Sequence, residues 1–524
     1  MKKKVITIVS IAVAIALIAV IVLFSVNSCG KDAAETDINL DIDLGNKPEL
    51  KALFPNSGYS DRQMNDDVNA KLIEELTGYK VTYSQLPAVE PFTQLNTNLI
   101  SREPFNLMKL TRSQFNTLIA QDALTDLTPA IEKFGPHLKE AISDESWGVV
   151  TVNGKIYGIP ERASSDNIEK PIVFRQDWLD KLNLRMPTTK EEFRNVLVQL
   201  KAEYGKDNPA FYPLTFDKFS PLLYAVSPAF GIYSDWQEYD GQVKYYFEAP
   251  GMKDYMDFMG DLYRDGLIDL EVDTNDAAKA INKFAKGEAG AIATSLWSVP
   301  AIVESLKANG VFDDAQAQAG LSNYLGYLRG LKNPDGEYRC FRNGGYSYIT
   351  AVPFYMAENA GYVVDWLDQK LTDEEGAYNF RSIVLGTEGV HYNYSAKDDS
   401  YSPIEANFGE KDTASFYLTG SNEKVYTKYW LARVKKNAEM YRAWNLLMKD
   451  ADEVGVYSVV NFAPPLAVYS EKSATIEQNA MDAVFVMLRT DKSGTNYQAK
   501  LTAWKNDSGA AVTEEINTWY QSAK

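Results

Sequence analysis

The stretch that decides the fold is Glu49–Leu86, ELKALFPNSGYSDRQMNDDVNAKLIEELTGYKVTYSQL. Its first six residues predict a strand that ends before the turn residues PNSG at 55–58. Apolar residues then recur at helical spacing from Val68 to Leu76 and predict a helix that Gly78 ends. KVTYSQL predicts a second strand. The order strand, loop, helix, strand is typical of a parallel sheet covered by helices, so we expect an α/β fold.

The alternation of strand and helix patterns continues along the chain. In VVTVNGKIYGIP, at 149–160, apolar residues alternate around Asn153-Gly154, which predicts a two-residue hairpin turn. YMDFMGDLYRDGLID predicts an amphipathic helix that ends at Gly266. The body, from about residue 48 to 524, is too long for one typical core and predicts two or three domains.

The N-terminus has the pattern of a secretory signal. Lys2–Lys4 precede a run from Val5 to Val26 that contains no charged side chain. Val26-Asn27-Ser28-Cys29 resembles a bacterial lipobox, so we expect residues 1–28 to be a lipoprotein signal peptide and Cys29 to carry the lipid. Asn27 departs from that pattern, and the run is long enough to span a bilayer uncut, so an uncleaved helix stays open. The acidic residues 29–47 predict a flexible tether.

Composition excludes several classes of function. The formal net charge is −18, and removal of the three signal lysines makes it −21. Such a surface repels phosphate backbones, which argues against a nucleic-acid partner. With Cys29 lipidated, Cys340 is alone, so no internal disulfide is expected. The 32 tyrosines suit either half-buried packing or a ligand that has apolar faces and hydroxyls.

The sequence lacks the common catalytic motifs. Its two histidines, His137 and His391, cannot form HExxH or a zinc cluster, and GxSxG, the P-loop and GxGxxG are absent. We therefore expect no metal, no cofactor and no catalytic residue. A glycosidase needs only two carboxylates, and with 71 acidic residues that alternative stays open. His137 is interpreted as structural, and His391 as either a ligand contact or a packing residue.

Several segments together resemble a known family. They are WGVVTVNGKIYGIP (147–160), VFRQDWLDKLNLRMPTTKEEF (173–193), LYRDGLID (262–269), FAKGEAGAIATSLW (284–297) and LGTEGVHYNY (385–394). In this order they resemble extracellular solute-binding proteins of family 1, the lipoprotein branch that serves carbohydrate-uptake ABC transporters. The resemblance covers nearly the whole chain after residue 48. Some relatives carry a calcium loop where this chain reads Tyr204–Ala210 without spaced acids, so no structural calcium is expected there.

The resemblance implies a type 2 periplasmic-binding-protein fold, with two α/β lobes joined by hinge strands and a ligand cleft between them. The N-terminal lobe would contain 48–165 and about 345–400. The C-terminal lobe would contain 166–340 and about 401–524. Ligand would favour closure of the lobes through contacts made only in the closed state.

The candidate ligand contacts follow from the resemblance and from the strand ends. Trp297 ends a strand of small residues, where family members often place a stacking tryptophan. The remaining candidates follow the first, third and hinge strands or lie on the return strand, and they are Ser57, Tyr59, Arg112, Glu161, Arg162, Tyr346, Tyr348 and His391. For each, ordinary packing or a structural salt bridge is the alternative.

The resulting hypothesis is a monomeric lipoprotein on the outer face of the cell membrane that captures an oligosaccharide and delivers it to an ABC permease. Three alternatives remain at this stage: a binding protein for a peptide or anionic sugar, a surface glycosidase, and an adhesin.

Overall fold

The structure, a computed structural model, describes residues 38–163, 167–168, 170–490 and 496–524. The predicted signal peptide, Cys29 and the first part of the predicted tether lie outside these residues. The described chain divides into two compact units. The first extends to Arg162 and also contains Tyr346–Val384 and Glu410–Lys424. The second contains Ala163–Gly345, Leu385–Gly409 and Val425–Lys524.

Two main sheets organise the units. Their strands within the described residues are, in chain order, β1 (Leu50–Phe54), β2 (Val81–Gln85), β3 (Leu107–Leu110), β4 (Ile159–Arg162), β5 (Ile172–Arg175), β6 (Tyr212–Thr215), β7 (Ala289–Ala293), β8 (Leu325–Leu328) and β9 (Tyr346–Ala351). The first unit holds the order β2-β1-β3-β9-β4, in which β1 runs parallel to β2 and β3, and β9 runs antiparallel to β3 and β4. The second unit holds the order β8-β5-β7-β6, in which only β7 and β6 are parallel.

Helices cover both sheets. In the first unit the α-helices of the described residues are Asp61–Asp66, Val68–Thr77, Pro91–Ile100, Arg112–Ala120, Thr128–Phe134, Pro136–Ala141, Asp144–Val150, Ala360–Leu371 and Asn379–Leu385, the last of which ends one residue inside the second unit. In the second unit they are Gln176–Lys181, Lys190–Tyr204, Met252–Arg264, Ala277–Ala285, Val299–Ala308, Asp314–Ala319, Glu405–Phe408, Tyr426–Val434, Ala438–Leu447, Ala451–Val454, Ala467–Thr490, Tyr497–Trp504 and Ala510–Ala523.

Short strand pairs complete the fold. They are Thr151–Val152 with Lys155–Ile156 in the first unit, and Trp236–Tyr239 with Gln242–Tyr245, Cys340–Phe341 with Gly455–Val456, and Tyr392–Ser395 with Ser400–Pro403 in the second. None of the helices in the described part of the chain is long and apolar enough to cross a membrane.

The deciding stretch folds as predicted. β1 and β2 pair in parallel, and the helix Val68–Thr77 connects them with the short helix before it. The Asp67 side chain accepts from the Asn69 N–H at the start of that helix. Gly78 ends it with φ 69°, a left-handed conformation that glycine adopts without strain. The Asn153-Gly154 hairpin is also confirmed, with both residues at positive φ.

The sheet of the second unit is buried on both faces, which explains its apolar strands. On β5, Ile172 and Phe174 belong to one hydrophobic cluster and Val173 to another. On β7, Ala291 belongs to the first of these clusters and Ile292 to the second, because successive side chains of a strand point to opposite faces of the sheet. Each large apolar side chain buried in this way contributes about 1.5–3 kcal/mol.

The predicted flexible tether is corrected for residues 38–47, which pack on the first unit. The Lys47 ammonium donates to the Thr77 carbonyl at 2.8 Å and lies 3.8 Å from the Asp365 carboxylate. The Lys133 ammonium donates to the Leu40 carbonyl at 2.6 Å. These contacts hold the segment to helices of the unit.

The division of the chain after residue 384 also differs from the predicted lobes. Glu410–Lys424 lies in the first unit, because Tyr417 is fully buried there and its ring lies 5.1 Å from that of Tyr83. Leu385–Gly409 lies in the second unit, where the Tyr401 ring packs 5.1 Å from that of Tyr429. These exchanges depend on packing between residues far apart in the chain, which local sequence patterns do not report.

Candidate ligand-binding site

A cavity of about 400 Å³ lies within the second unit. Two of its walls follow the parallel strands β6 and β7. The loop 219–225 comes after β6, and Thr294 directly follows Ala293, the last residue of β7. Lys170 and Ile172, at the start of β5, also line it. Open α/β sheets bind ligands at the carboxyl ends of their parallel strands, so the fold places this cavity where a ligand is expected.

A tight hairpin brings Asp235 to the cavity. Asp235 directly precedes the strand Trp236–Tyr239, and Tyr246 directly follows the strand Gln242–Tyr245. The two strands pair antiparallel, with Trp236 opposite Tyr245. The Tyr246 N–H donates to the Asp235 carbonyl at 2.7 Å, which sets the carboxylate and the tyrosine side by side.

One helix face forms a further wall. Ala474, Glu477, Gln478 and Met481 line the cavity from the helix Ala467–Thr490. Their spacing of three, four and seven residues puts them on one side of the helix. Glu477 and Gln478 are exposed, as is Phe219 across the loop, so this wall borders the open mouth of the cavity.

The Asp235 carboxylate is partly buried and accepts a hydrogen bond from the Tyr224 hydroxyl. Burial raises its pKa, while that hydrogen bond and the positive charge of Lys170 act in the opposite direction. The Tyr224 ring in turn stacks on Phe341, with centroids 4.1 Å apart and planes 21° apart. The carboxylate is therefore held in a fixed position by an aromatic side chain that is itself fixed.

Glu477 faces the same space from the helix. Although the side chain is exposed at the mouth, the surrounding wall desolvates its carboxyl group and the negative charge of Asp235 adds to the effect, so its pKa rises to about 7. Among the described residues no hydrogen bond or ion pair engages this carboxylate. It is consequently available to a ligand.

The arrangement suits a ligand that carries both hydroxyls and apolar faces. The carboxylates of Asp235 and Glu477 can accept hydrogen bonds from hydroxyl groups, and such charge-assisted bonds are stronger than neutral ones. Tyr224, Tyr245 and Tyr246 supply aromatic surface. Within the described residues no group of three His, Cys, Asp or Glu side chains could hold a metal ion.

The predicted residue Glu161 lies in the first unit and is buried, 5% exposed. Its carboxylate lies 2.8 Å from the Lys109 ammonium, which is buried as well. Burial lowers the pKa of Lys109 and raises that of Glu161, and the attraction between the two opposes both shifts. Lys109 also donates to the Leu418 carbonyl at 2.6 Å. Glu161 thus forms part of a buried ion pair.

Arg162, Tyr346 and Tyr348 lie together on the paired strands β4 and β9. Arg162 is opposite Tyr346, and Tyr348 is opposite Glu161. The Arg162 guanidinium lies 3.4 Å from the Glu423 carboxylate and 3.6 Å from that of Glu145. The structure therefore brings three of the predicted residues into one half-buried patch of the first unit, next to the buried Glu161.

Ser57, Tyr59 and Arg112 lie at the carboxyl ends of β1 and β3 in the same unit. The Ser57 hydroxyl donates to the Gln85 side chain at 2.6 Å. Tyr59 is 45% exposed, with its ring 5.8 Å from that of Phe416. Arg112 is half-buried at the start of the helix Arg112–Ala120.

Trp297 and His391 lie in the second unit, but neither lines the cavity. Trp297 is partly buried, and its ring lies 6.4 Å from that of Trp430 and 6.3 Å from that of Trp444. His391 closes a turn, where its Nδ1 accepts from the Thr387 N–H at 2.9 Å. Both residues remain candidates for ligand contact.

Sequence reasoning missed the cavity residues Asp235 and Glu477. A signal for Asp235 was present, since Asp240-Gly241 is a two-residue hairpin turn and both residues take positive φ. Because the turn pairs the strands Trp236–Tyr239 and Gln242–Tyr245 antiparallel, Asp235 and Tyr246 lie at the same end of the hairpin. Glu477 had no comparable signal, because it is one of many acids on a long helix.

Comparison with known proteins identifies the class. Residues 70–415 match the sequence profile of the family described as bacterial extracellular solute-binding protein. This match covers more than half of the chain, and the chain belongs to that family. The protein is therefore an extracellular solute-binding component of a transport system and not an enzyme.

Three curated relatives are similar to this chain in sequence. The chain is 30% identical over 272 residues to an uncharacterized protein of Niallia circulans, which covers 52% of this chain and all of the relative. It is 24% identical over 490 residues to lipoprotein LipO of Bacillus subtilis, covering 87% of this chain and 89% of the relative. It is 25% identical over 394 residues to the polygalacturonan/rhamnogalacturonan-binding protein YtcQ of Bacillus subtilis, covering 72% of each chain.

Solved structures confirm the predicted fold class. An HMO-binding solute-binding protein of Bifidobacterium longum infantis superposes with a TM-score of 0.66 at 16% identity, covering 90% of this chain and 98% of the other. The substrate-binding protein FusA of S. pneumoniae, solved with kestose, superposes with a TM-score of 0.61 at 18% identity, covering 91% of this chain and all of the other. At these identities the likeness establishes the fold alone.

Proposed function

We propose that the protein captures an oligosaccharide outside the cell and delivers it to the permease of an ABC importer. The observation that carries the proposal is the cavity of the second unit, which two carboxylates and three tyrosines line together. Carboxylates match the hydroxyls of a sugar, and rings match its C–H faces. The volume of about 400 Å³ falls in the usual range for small-molecule sites.

The relatives support a sugar as the ligand. YtcQ is named for binding polygalacturonan and rhamnogalacturonan, and the Bifidobacterium and S. pneumoniae proteins are named for binding HMO or were solved with kestose. We propose the same ligand class for this chain. Attachment to the membrane through a lipid on Cys29 belongs to the same proposal. The similarity of this chain to lipoprotein LipO supports it.

The patch of Arg162, Tyr346 and Tyr348 in the first unit, with Ser57, Tyr59 and Arg112 at its strand ends, is a second candidate for ligand contact. Trp297 and His391 remain candidates in the second unit. We propose these residues as subsidiary to the cavity, because the side chains of Arg162, Tyr346 and His391 already have partners within the fold.

A thermal-shift screen tests the function. The full-length protein is heated with a panel of neutral oligosaccharides, uronic-acid oligosaccharides and peptides, and each sample is examined for cleavage products. A ligand that binds the folded state raises the melting temperature according to RT ln(1 + [L]/Kd). We expect a shift with an intact sugar. A shift with peptides alone, or cleavage of a sugar, would contradict the proposal.

A further inference from the structure

The charges in the cavity bear on which sugar it accepts, and this inference rests on the proposed function. Within the described lining, the charged side chains are Lys170, Asp235 and Glu477. Two carboxylates therefore share the space with one ammonium group. Tyr224, Tyr245 and Tyr246 line the same space, and their hydroxyls stay neutral because burial raises their pKa values.

The single ammonium group does not balance both acids. The charge of Lys170 acts on Asp235, whose carboxylate is held by the Tyr224 hydroxyl. Glu477 is affected by the negative charge of Asp235 rather than by a positive charge. The negative charge of Glu477 is therefore left uncompensated at the mouth, where a ligand enters.

This charge distribution should give neutral and acidic sugars different binding affinities. A hydroxymethyl group can donate a hydrogen bond to either carboxylate. A uronic acid carries a carboxylate at the same position, which can donate nothing and adds a third negative charge. At separations of several ångströms and an effective dielectric constant of about 20, one such repulsion lowers affinity about tenfold or more.

We propose that the cavity selects neutral, hydroxyl-rich sugars over uronic acids, and that Asp235 and Glu477 are the residues that set this selectivity. The selectivity separates this protein from its relative YtcQ, which is named for binding polygalacturonan and rhamnogalacturonan.

The selectivity has a definite pH dependence. The raised pKa values of Glu477, about 7, and of Asp235 mean that acidification removes negative charge from the cavity. Discrimination against uronic acids is therefore strongest at pH 8 and weaker at pH 5.

Calorimetric titration of the full-length protein in detergent with matched trimers tests the proposal. The pairs are galactose with galacturonate, mannose with mannuronate, and glucose with glucuronate, which differ only in the group at C6. At pH 8 we expect at least one neutral trimer to bind about tenfold or more tightly than its uronate partner. At pH 5 the ratio should fall.

Variants locate the effect. Glu477→Gln and Asp235→Asn should each reduce the ratio at pH 8, whereas Glu471→Gln, which removes an exposed acid of the same helix outside the cavity, should leave it unchanged. A uronate that binds as tightly as its neutral partner in the wild-type protein overturns the selectivity while leaving the proposed function intact. If no sugar of either class binds, the proposed function itself fails.

Discussion

In the first unit the carboxylate of Glu161 lies 2.8 Å from the ammonium of Lys109, and both side chains are buried. In the second unit the carboxylate of Glu477 lies at an open mouth and shares its cavity with another acid. The first carboxylate has a partner inside the fold and serves stability. Desolvation and the negative charge of Asp235 raise the pKa of the second, and no partner among the described residues holds it, so it is left for a ligand. Substitutions in the two regions should therefore affect different measurements.

The largest effect is expected from Glu161→Ala. It leaves the buried Lys109 without its counter-charge, so the free energy of unfolding should fall by about 3–5 kcal/mol in a denaturant titration. The double variant Lys109→Met/Glu161→Leu should recover much of this loss. Glu145→Ala is the matched control, because that exposed carboxylate 3.6 Å from Arg162 should cost about 0–1 kcal/mol. A loss below 1 kcal/mol for Glu161→Ala would show that the pair is not the stabilising feature described.

Asp235→Ala should weaken ligand binding strongly and change stability little. Loss of a charge-assisted hydrogen bond to the ligand should weaken sugar binding by about 2–3 kcal/mol, or roughly 30- to 150-fold. The free energy of unfolding should change by about 1 kcal/mol or less, because the variant also removes a carboxylate that is costly to bury. Calorimetry and thermal melting measure the two quantities on the same sample. Unchanged binding would exclude the cavity as the ligand site.

Substitution of His137, in the first unit, should have a smaller effect on the free energy of unfolding. Its Nδ1 lies 2.6 Å from the Asp368 carboxylate and its Nε2 lies 3.7 Å from that of Glu374. Burial lowers the pKa of His137, but these carboxylates outweigh it and the net shift is upward from 6.5. The stabilisation is therefore complete below pH 6.5 and is lost as the pH rises through the folded-state pKa.

His137→Leu should thus cost about 1 kcal/mol at pH 5.5 and less at pH 9. Urea denaturation at the two pH values measures the difference. An equal cost at both values would mean that the imidazole contributes packing rather than charge.

The smallest effect concerns Glu477→Gln. Since the folded-state pKa of Glu477 is raised from 4.5 to about 7, its stabilisation is complete below 4.5 and is lost as the pH rises through about 7. The variant should be more stable than the wild-type protein at pH 8 and equal to it at pH 4. The gain stays below about 1 kcal/mol because the exposed carboxyl is screened by solvent. A loss of stability at pH 8 would indicate an ion pair instead.

Local patterns predicted much of the fold. The spacing of apolar residues between Val68 and Leu76, with Gly78 after them, fixed one helix to within a residue or two. The exchanges of the chain at 385, 410 and 425 could not be predicted, because they depend on long-range packing such as that of Tyr417 against Tyr83.

The candidate site was harder to predict, because a binding surface depends on which side chains meet rather than on their order. Sequence reasoning favoured Trp297, a large ring after small residues, and the structure packs this ring near Trp430 and Trp444. Sequence reasoning did not identify Asp235, because the position of that carboxylate depends on a hairpin and on Tyr224, eleven residues away in sequence. Glu161 was selected for its place after the predicted hinge strand, but its carboxylate is buried beside the Lys109 ammonium.

A crystal structure of the full-length protein with the tightest-binding neutral trimer tests the central claim most directly. We predict density for an intact sugar in the cavity, with hydroxyl groups within hydrogen-bond distance of the carboxylates of Asp235 and Glu477. Density for the sugar elsewhere, beside Trp297 for example, with the cavity of the second unit filled only by water, would contradict the account.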